Sequence, residues 1–207
     1  MDEIEFKQII EFGREQRGVE FKSGGSRKKD KRLLVKVIRA VISMANIRDG
    51  GKVIIGIDEG DDLILTGVCN EDLSSWNHDD FADSLSEYAE PTPVFEISVV
   101  TYKEKNYVVI EVNEFEDFPI ICKKTYDDVL RSGACYVRPR RKPESVDIPS
   151  HVDMRDLLEL AIDKGVRKFI KRAEKAGVSL SSSKLSTTDT EKFEEQIGDF
   201  FEDGGEI

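Results

Sequence analysis

The sequence predicts an α+β fold in which a mixed sheet is flanked by helices. Three observations indicate this class. Two long segments carry apolar residues at spacings of three and four, which is typical of helices with one buried face. Other short runs are rich in Val, Ile and Tyr and are bounded by Gly, Asn and Asp, as strands are. The chain has 207 residues, which is enough for one domain with a substantial core.

The first half of the chain is predicted to contain two helices and three strands. A short helix over residues 2–12 is expected to stop at the glycine that follows it, and the alternating run VEFKS is expected to form a strand. Residues 30–47 have the pattern of a helix with one buried face. The apolar run KVIIGID then predicts a buried strand, and LILTG predicts its hairpin partner.

The second half is predicted to contain two further helices and several strands. One helix is expected over about residues 75–89. Residues 91–112 contain two β-rich runs on either side of KEKN and predict a hairpin. The runs PIICKK and GACYVRPR predict further short strands, and residues 154–175 predict a long helix.

The formal net charge is −11, but two segments of the chain are basic. Residues 14–58 contain twelve Lys and Arg against five Asp and Glu, and residues 123–142 contain seven against two. Residues 59–119 and 186–207 are acidic. A local positive surface can bind phosphate groups even when the total charge is negative. The composition therefore does not exclude a nucleic-acid ligand.

The basic segments supply candidate contacts to a nucleic-acid backbone. Arginine forks match phosphate groups bidentately, and Tyr136 is a candidate for stacking on an unpaired base. The alternative is that the arginines after Tyr136 pair with the acidic residues of 59–119. The candidate nucleic-acid-binding residues are Arg27, Lys28, Lys29, Lys31, Arg32, Lys36, Arg138, Arg140 and Arg141.

Three carboxylates and a lysine are predicted to gather at one edge of the sheet. Glu20 and Lys22 lie on one face of the first strand, Glu15 lies just before it, and Asp58 ends the KVIIGID strand. Neighbouring carboxylates resist joint ionisation, and a Mg²⁺ or Mn²⁺ ion would remove that repulsion. Such an ion activates water for attack on phosphorus, and Lys22 is placed to stabilise the added charge. The alternative is that these residues are ordinary surface charges of a strand, a loop and a turn.

Gly50 and Gly51 follow the second predicted helix and favour a tight turn over a phosphate contact. The order of elements there is helix to strand, and the chain contains no GxxxxGK[ST] motif. Both observations disfavour ATP binding.

Taken together, these motifs resemble the Schlafen-type AlbA_2 domain. The resemblance rests on the start Glu15-x4-Glu20-Phe-Lys, the centre AVISMANIRDGGKVIIGIDEG with LTGV, and the late YVRPR, and it extends over roughly residues 6–150. Ile47 departs from the family pattern, which usually has Thr there. The YVRPR element lacks the glycine that often follows its arginine, and this affects the expected shape of the substrate groove.

The resemblance implies a mixed α/β domain that binds nucleic acid. In Schlafen endoribonucleases it also implies a metal site of three acids, which fall on Glu15, Glu20 and Asp58. The implied reaction is Mg²⁺- or Mn²⁺-dependent cleavage of structured RNA such as tRNA, with those acids and Lys22 as catalytic residues. Two lobes form the RNA-holding cleft of such enzymes, so this single lobe would need a homodimer. The alternative is a non-catalytic DNA- or RNA-binding regulatory module.

The expected organisation is an AlbA_2-like nucleic-acid-binding domain over residues 1–150 with a C-terminal helix over 151–177 packed on it. Residues 178–207 are rich in Ser and Thr and then acidic, which predicts a disordered tail. The chain has no apolar run long enough to span a membrane, and its N-terminus is acidic where a signal peptide is basic. These features predict a soluble cytoplasmic protein without membrane contact.

Overall fold

The computed structural model describes residues 1–60 and 62–177. The helices are α1 (Glu3–Glu11), α2 (Lys31–Ala45), α3 (Asn70–Leu73), α4 (His78–Ser86) and α5 (His151–Lys175). The strands are β1 (Val19–Lys22), β2 (Gly51–Ile55), β3 (Ile57–Glu59), β4 (Leu63–Leu65), β5 (Ala89–Glu90), β6 (Phe95–Tyr102), β7 (Lys105–Val112), β8 (Ile121–Cys122), β9 (Tyr136–Val137) and β10 (Val146–Asp147). The long helices and the β6–β7 hairpin lie where the sequence predicts them.

A four-stranded mixed sheet forms the centre of the fold. Its strand order is β1-β2-β7-β6, with β1 parallel to β2 and with β7 antiparallel to both of its neighbours. The predicted α+β class, a mixed sheet with flanking helices, is confirmed. Because β1 pairs with β2, with Glu20 opposite Val53, the N-terminal acids lie beside the strand that follows α2.

Helices cover both faces of this sheet. On one face, α2 supplies much of the larger core and packs with Val53 of β2 and Val108 of β7. On the other face, Phe6 of α1 packs with Phe21 of β1. Successive side chains of a strand point to opposite faces, so Glu20 points to the α2 side. A carboxylate buried beneath a helix needs partners, and those partners build the candidate site.

The predicted KVIIGID strand is broken at Gly56. This residue has a φ of +111°, a conformation that favours glycine, and a Cβ there would lie 2.9 Å from the backbone of Gly67. After Gly56 the chain leaves the main sheet as β3, which pairs with β4 in the predicted hairpin.

Three short elements, α3, β5 and β10, were not predicted from periodicity, whereas β8 and β9 lie in the predicted runs PIICKK and GACYVRPR. The helix expected over 75–89 begins only at His78, because α3 precedes it, and its last predicted residue enters β5. The pairs β5–β8 and β9–β10 are each two residues long. Segments of this length contain too few residues to show a period of two or of 3.6.

The residues ANIRDGG form a turn that also makes hydrogen bonds to distant parts of the chain. Asn46 donates hydrogen bonds to the carbonyl oxygens of Ile120 (2.8 Å) and Tyr136 (2.9 Å), and its Oδ1 accepts one from the backbone N–H of Ile120 (2.7 Å). Gly50 has a φ of +66°, and a Cβ there would lie 2.0 Å from the carbonyl oxygen of Val112. This glycine therefore serves the tight turn and the close approach to β7.

The described residues fall into two compact units that divide after Gly165, and α5 extends through the boundary. In the first unit, Leu157 and Leu160 of α5 are buried in the larger core. In the second unit, α5 continues to Lys175, and Phe169 is exposed. The tail predicted over 178–207 lies outside the described residues. Among the helices that are described, none has the length and apolar character needed to cross a bilayer.

Candidate functional site

Glu20 is a buried carboxylate at the centre of the candidate site, with a side chain that is 6% exposed. Its Oε1 pairs with the Nζ of Lys22, and its Oε2 pairs with the Nη1 of Arg138 and accepts a hydrogen bond from Ser145. Burial alone raises the pKa of Glu20, but the charges of Lys22 and Arg138 outweigh it and hold that pKa below its ordinary value. Glu20 is therefore an ionised carboxylate whose two oxygens are both paired.

Arg138 is completely buried and holds the segment before β1 in place. Its Nε donates to the carbonyl oxygen of Arg17 (2.8 Å), and its Nη2 donates to the carbonyl oxygens of Gln16 and Val19 (2.9 Å each). The Nη2 also lies 3.2 Å from the Oε2 of Glu15. The sequence predicts a nucleic-acid contact for Arg138, but its side chain is 0% exposed and its donors are used inside the protein. Its role in this structure is to organise the acids.

Glu15 and Glu59 form a second pair of carboxyl groups next to Glu20. Glu15 Oε1 accepts a hydrogen bond from the backbone N–H of Phe21 (2.9 Å), and Glu59 lines the same cleft as Glu15. Burial and then the charge of Glu20 raise the pKa of Glu15 to about 7, although the Phe21 N–H and Arg138 act to lower it. Burial also raises the pKa of Glu59. Both carboxyl groups therefore hold a proton to higher pH than a free glutamate does.

The structure brings Glu15 and Glu20 together, and Glu59 joins them. Asp58 is half-buried in β3 opposite Ile64, and its side chain makes no hydrogen bond or ion pair with any residue that the structure describes. Adjacent residues of a strand point in opposite directions, so Asp58 and Glu59 cannot both point toward Glu15. The sequence does not separate the two, because both are acids at the end of the same short strand.

The oxygen atoms of Glu15 and Glu20 are engaged by groups of the protein in this structure. Mg²⁺ and Mn²⁺ need several oxygen atoms with free lone pairs that converge on one point. Both oxygens of Glu20 are engaged by cations, and those of Glu15 are engaged by a backbone N–H and by Arg138. Within residues 1–60 and 62–177, no group of three His, Cys, Asp or Glu side chains is placed to hold a metal ion. The positive charge beside the acids comes from Arg138 and Lys22.

Most of the predicted phosphate-binding cations are paired with acids of the same chain. The pairs are Arg27 and Lys28 with Asp80, Lys29 with Asp72, Arg32 with Asp128, and Arg140 with Asp156. Lys31 lies 5.8 Å from the ring centroid of Tyr126, and Lys36 and Arg141 are exposed. Exposed ion pairs contribute little stability. Their cations can therefore release the aspartate and bind a phosphate group instead. Arg27, like Arg138, is buried and does not share this freedom.

An open cleft of about 700 Å³ adjoins the acid cluster. Four cations and three carboxylates line it: Arg14, Arg17, Arg140 and Lys142 with Glu15, Glu59 and Glu144. Phe12 also lines the cleft and is 52% exposed, and the guanidinium of Arg14 lies 5.3 Å from its ring centroid. A smaller cavity of about 200 Å³ is lined by Lys22, Arg32 and Lys36. Glu15 and Glu59 therefore line the larger cleft, and Lys22, the partner of Glu20, lines the smaller cavity.

Phe12 and Arg14 are absent from the residues predicted from sequence, although one signal identifies Phe12. Phe6, Ile9 and Ile10 share the apolar face of α1, and Phe12 lies two residues beyond Ile10 and off that face. An aromatic residue in that position has no core to enter.

Tyr136, the predicted stacking residue, is buried in the larger core. Its hydroxyl accepts a hydrogen bond from the backbone N–H of Arg131 at 2.8 Å. The ring therefore has no free face for an external base.

Three comparisons with known proteins bear on this site. The family model described as Schlafen, AlbA_2 matches residues 15–147, which include the acid cluster, the turn at Asn46 and Arg138. No curated protein matches the chain. Among solved structures, the chain is similar to the DIP2311 protein from Corynebacterium diphtheriae, with 15% identity and a TM-score of 0.48 over 70% of this chain and 26% of that one. The chain thus spans about a quarter of the length of that protein.

A second solved structure is the N-terminal domain of a RecG-related protein from Nitrosomonas europaea. It is 19% identical, with a TM-score of 0.47 over 72% of this chain and 94% of that one.

Proposed function

The chain belongs to the Schlafen AlbA_2 family, and we propose that it is a nucleic-acid-binding module whose phosphate-contacting surface is the cationic wall of the cleft beside Glu15. The observation that carries this proposal is the lining of the cleft. Arg14 makes no ion pair with the described residues, and Arg140 and Lys142 are both more than 70% exposed. Exposed guanidinium and ammonium groups around one concave surface are suited to a polyanion.

The carboxylates that pair with these cations can be replaced by the phosphate groups of a nucleic acid. Lys142 contacts Glu144 at 2.7 Å, and Arg140 contacts Asp156 at 3.1 Å, and the two cations are exposed. Because such exposed pairs contribute roughly 0–1 kcal/mol, a phosphate group can replace the carboxylate without loss of stability. Arg141 and Lys36 are also exposed and make no ion pair with the residues that the structure describes.

The proposal is tested by the salt dependence of binding. Fluorescence anisotropy would measure the affinity of the chain for labelled tRNA and for a labelled DNA duplex at several salt concentrations. The affinity should fall linearly on logarithmic axes, because each phosphate contact releases counterions. Lys142→Gln should weaken binding to all sequences and reduce the slope by about 1.

Lys103→Gln is the matched control for Lys142→Gln. Lys103 is an exposed lysine in the turn of the β6–β7 hairpin, on the edge of the sheet opposite β1. This variant should bind as the unmodified chain does. Absence of saturable binding to either nucleic acid at low salt would refute the proposed function.

A second candidate function is the metal-dependent endoribonuclease that the family resemblance implies. The observation that favours it is the gathering of Glu15, Glu20 and Glu59 around Lys22, beside the cleft. The test is incubation of the chain with bulk tRNA and Mn²⁺ or Mg²⁺, with EDTA as the control. Metal-dependent fragments that Glu59→Gln abolishes would support this candidate, and intact tRNA under every condition would reject it.

Glu59 is the better first substitution because it is exposed, whereas removal of buried Glu20 leaves Arg138 and Lys22 without their partner. A two-lobed RNA cleft would further require a homodimer. Light scattering of the chain with and without tRNA measures that state directly.

A further inference from the structure

We propose that the cleft is a site for an unpaired nucleotide of a single strand, whose base stacks on the ring of Phe12 while its phosphate contacts Arg14 and Lys142. This inference rests on the proposed nucleic-acid binding and specifies the form of the ligand. It concerns residues at the mouth of the cleft and does not require cleavage.

The first observation is the exposed ring itself. Phe12 belongs to neither core cluster of the described residues, and about half of its surface is open to solvent. The guanidinium of Arg14 lies over the ring and has no carboxylate partner in the described chain. An aromatic face beside an unpaired guanidinium is the arrangement by which proteins bind the bases of single strands, since every base has a π face and every nucleotide has a phosphate.

The second observation is that carboxyl groups line the cleft together with its cations. They are those of Glu15, Glu59 and Glu144. Negative charge at this surface repels the two continuous rows of phosphates that a duplex presents. Glu59 and Glu144 are exposed and can accept hydrogen bonds from the N–H groups of a base edge, and such edges are exposed only where the base is unpaired. The mixed charge of the cleft therefore favours one nucleotide over a duplex.

The third observation is the size of the site and the absence of another stacking surface among the predicted residues. The cleft has a volume of about 700 Å³. This lies within the range of roughly 300–1,000 Å³ that is typical of small-ligand sites. Tyr136, the aromatic residue that the sequence suggests for stacking, is buried and hydrogen-bonded.

Phe118 provides an internal comparison. It is 69% exposed and lines a cavity of about 170 Å³, but its charged neighbours there are Glu114, Glu116 and Asp117. An exposed ring surrounded by acids repels phosphate, whereas Phe12 lies among cations. Both sites thus contain an exposed phenylalanine. Of the two, the Phe12 cleft also contains the cations that the phosphate of a nucleotide requires.

The test uses the full chain and a fluorescein-labelled single-stranded RNA of mixed sequence, free or annealed to its complement. Anisotropy would give the affinities of the unmodified chain, Phe12→Ala, Phe12→Trp and Phe118→Ala. The unmodified chain should bind the single strand more tightly than the duplex. Phe12→Ala should weaken single-strand binding by roughly fivefold to 150-fold, the loss expected for one stacked base, and should leave duplex binding unchanged.

Phe12→Trp should retain the affinity, because it preserves an aromatic face, and Phe118→Ala should behave as the unmodified chain does. Equal affinities of Phe12→Ala and the unmodified chain would overturn the inference. If Lys142→Gln weakened binding in that case, the proposed function would stand without this site. Failure of the unmodified chain to bind either RNA would overturn both.

Discussion

Replacement of Glu15 by glutamine should remove a pH-dependent loss of stability. The pKa of Glu15 is raised from 4.5 to about 7 in the folded chain, first by burial and then by the charge of Glu20. The folded state therefore binds a proton that the unfolded state has already released above about pH 5. This contribution to stability is fully present below the unfolded pKa of 4.5 and is lost as the pH rises through about 7.

The magnitude follows from the difference between the two pKa values. Between about pH 5 and about pH 8 the proton on Glu15 contributes a change of about 2–3 kcal/mol in the free energy of unfolding. The side chain is 12% exposed, so solvent reduces this value little. The charged groups that face Glu15 are Glu20, Glu59 and Arg138. Glutamine at this position keeps an oxygen that can accept the Phe21 N–H but does not titrate.

The assay is urea denaturation of the unmodified chain and of Glu15→Gln at several pH values. The difference in unfolding free energy between the two should change by about 2–3 kcal/mol over this range, with the variant gaining relative stability as the pH rises. Glu11→Gln is the control, because Glu11 is 62% exposed and pairs only with Lys7 of the same helix among the described residues. Parallel stability profiles for Glu15→Gln and the unmodified chain would refute the assignment of a raised pKa to Glu15.

Further predictions concern the residues that hold the fold around the site, and each is measured by urea denaturation. Arg138→Met should lower the free energy of unfolding by about 3–5 kcal/mol, because it leaves buried Glu20 without one of its two cationic partners; a loss below about 1 kcal/mol would contradict the role given to the guanidinium. Asn46→Ala should cost about 2–4 kcal/mol, because three buried backbone groups lose their partner. Gly50→Ala should cost at least about 2 kcal/mol, because of its positive φ and the contact at 2.0 Å. Gly165→Ala, where an added Cβ meets nothing within 4 Å, should instead stabilise α5 by about 0.5–1 kcal/mol.

The main elements and part of the site follow from the sequence, because they depend on local periodicity and on strand pairing. The parallel pairing of β1 and β2 places Glu20 beside Val53 of β2, and Arg138 contacts both Glu15 and Glu20. The details depend on tertiary contacts that no local pattern records. Gly56 redirects the chain, and Glu59 rather than Asp58 lines the cleft with Glu15.

The arginines after Tyr136 also differ in a way that the local sequence does not predict. Arg138 and Arg140 lie in one basic run and have the same expected chemistry, yet Arg138 is fully buried and Arg140 is 73% exposed. The difference arises because Arg138, directly after β9, lies against the segment that leads into β1. Backbone carbonyl oxygens there accept hydrogen bonds from its guanidinium. Burial of one arginine in a basic run depends on the partner segment, which is more than a hundred residues away in the sequence.

Arg138 is a counter-ion of the acid cluster. Carboxylates that converge need a counter-ion, and a divalent cation and a buried guanidinium both meet this need. Here the guanidinium contacts Glu15 and Glu20, which lie near the start of the matched family segment, whereas Arg138 itself lies near its end. The contacts that neutralise the acids therefore also hold the two ends of this segment together. Removal of Arg138 to free the acids would therefore measure folding and not metal binding. A decisive experiment on cleavage must keep Arg138 and change the exposed Glu59, since only that substitution separates the chemistry of the cluster from its structural role.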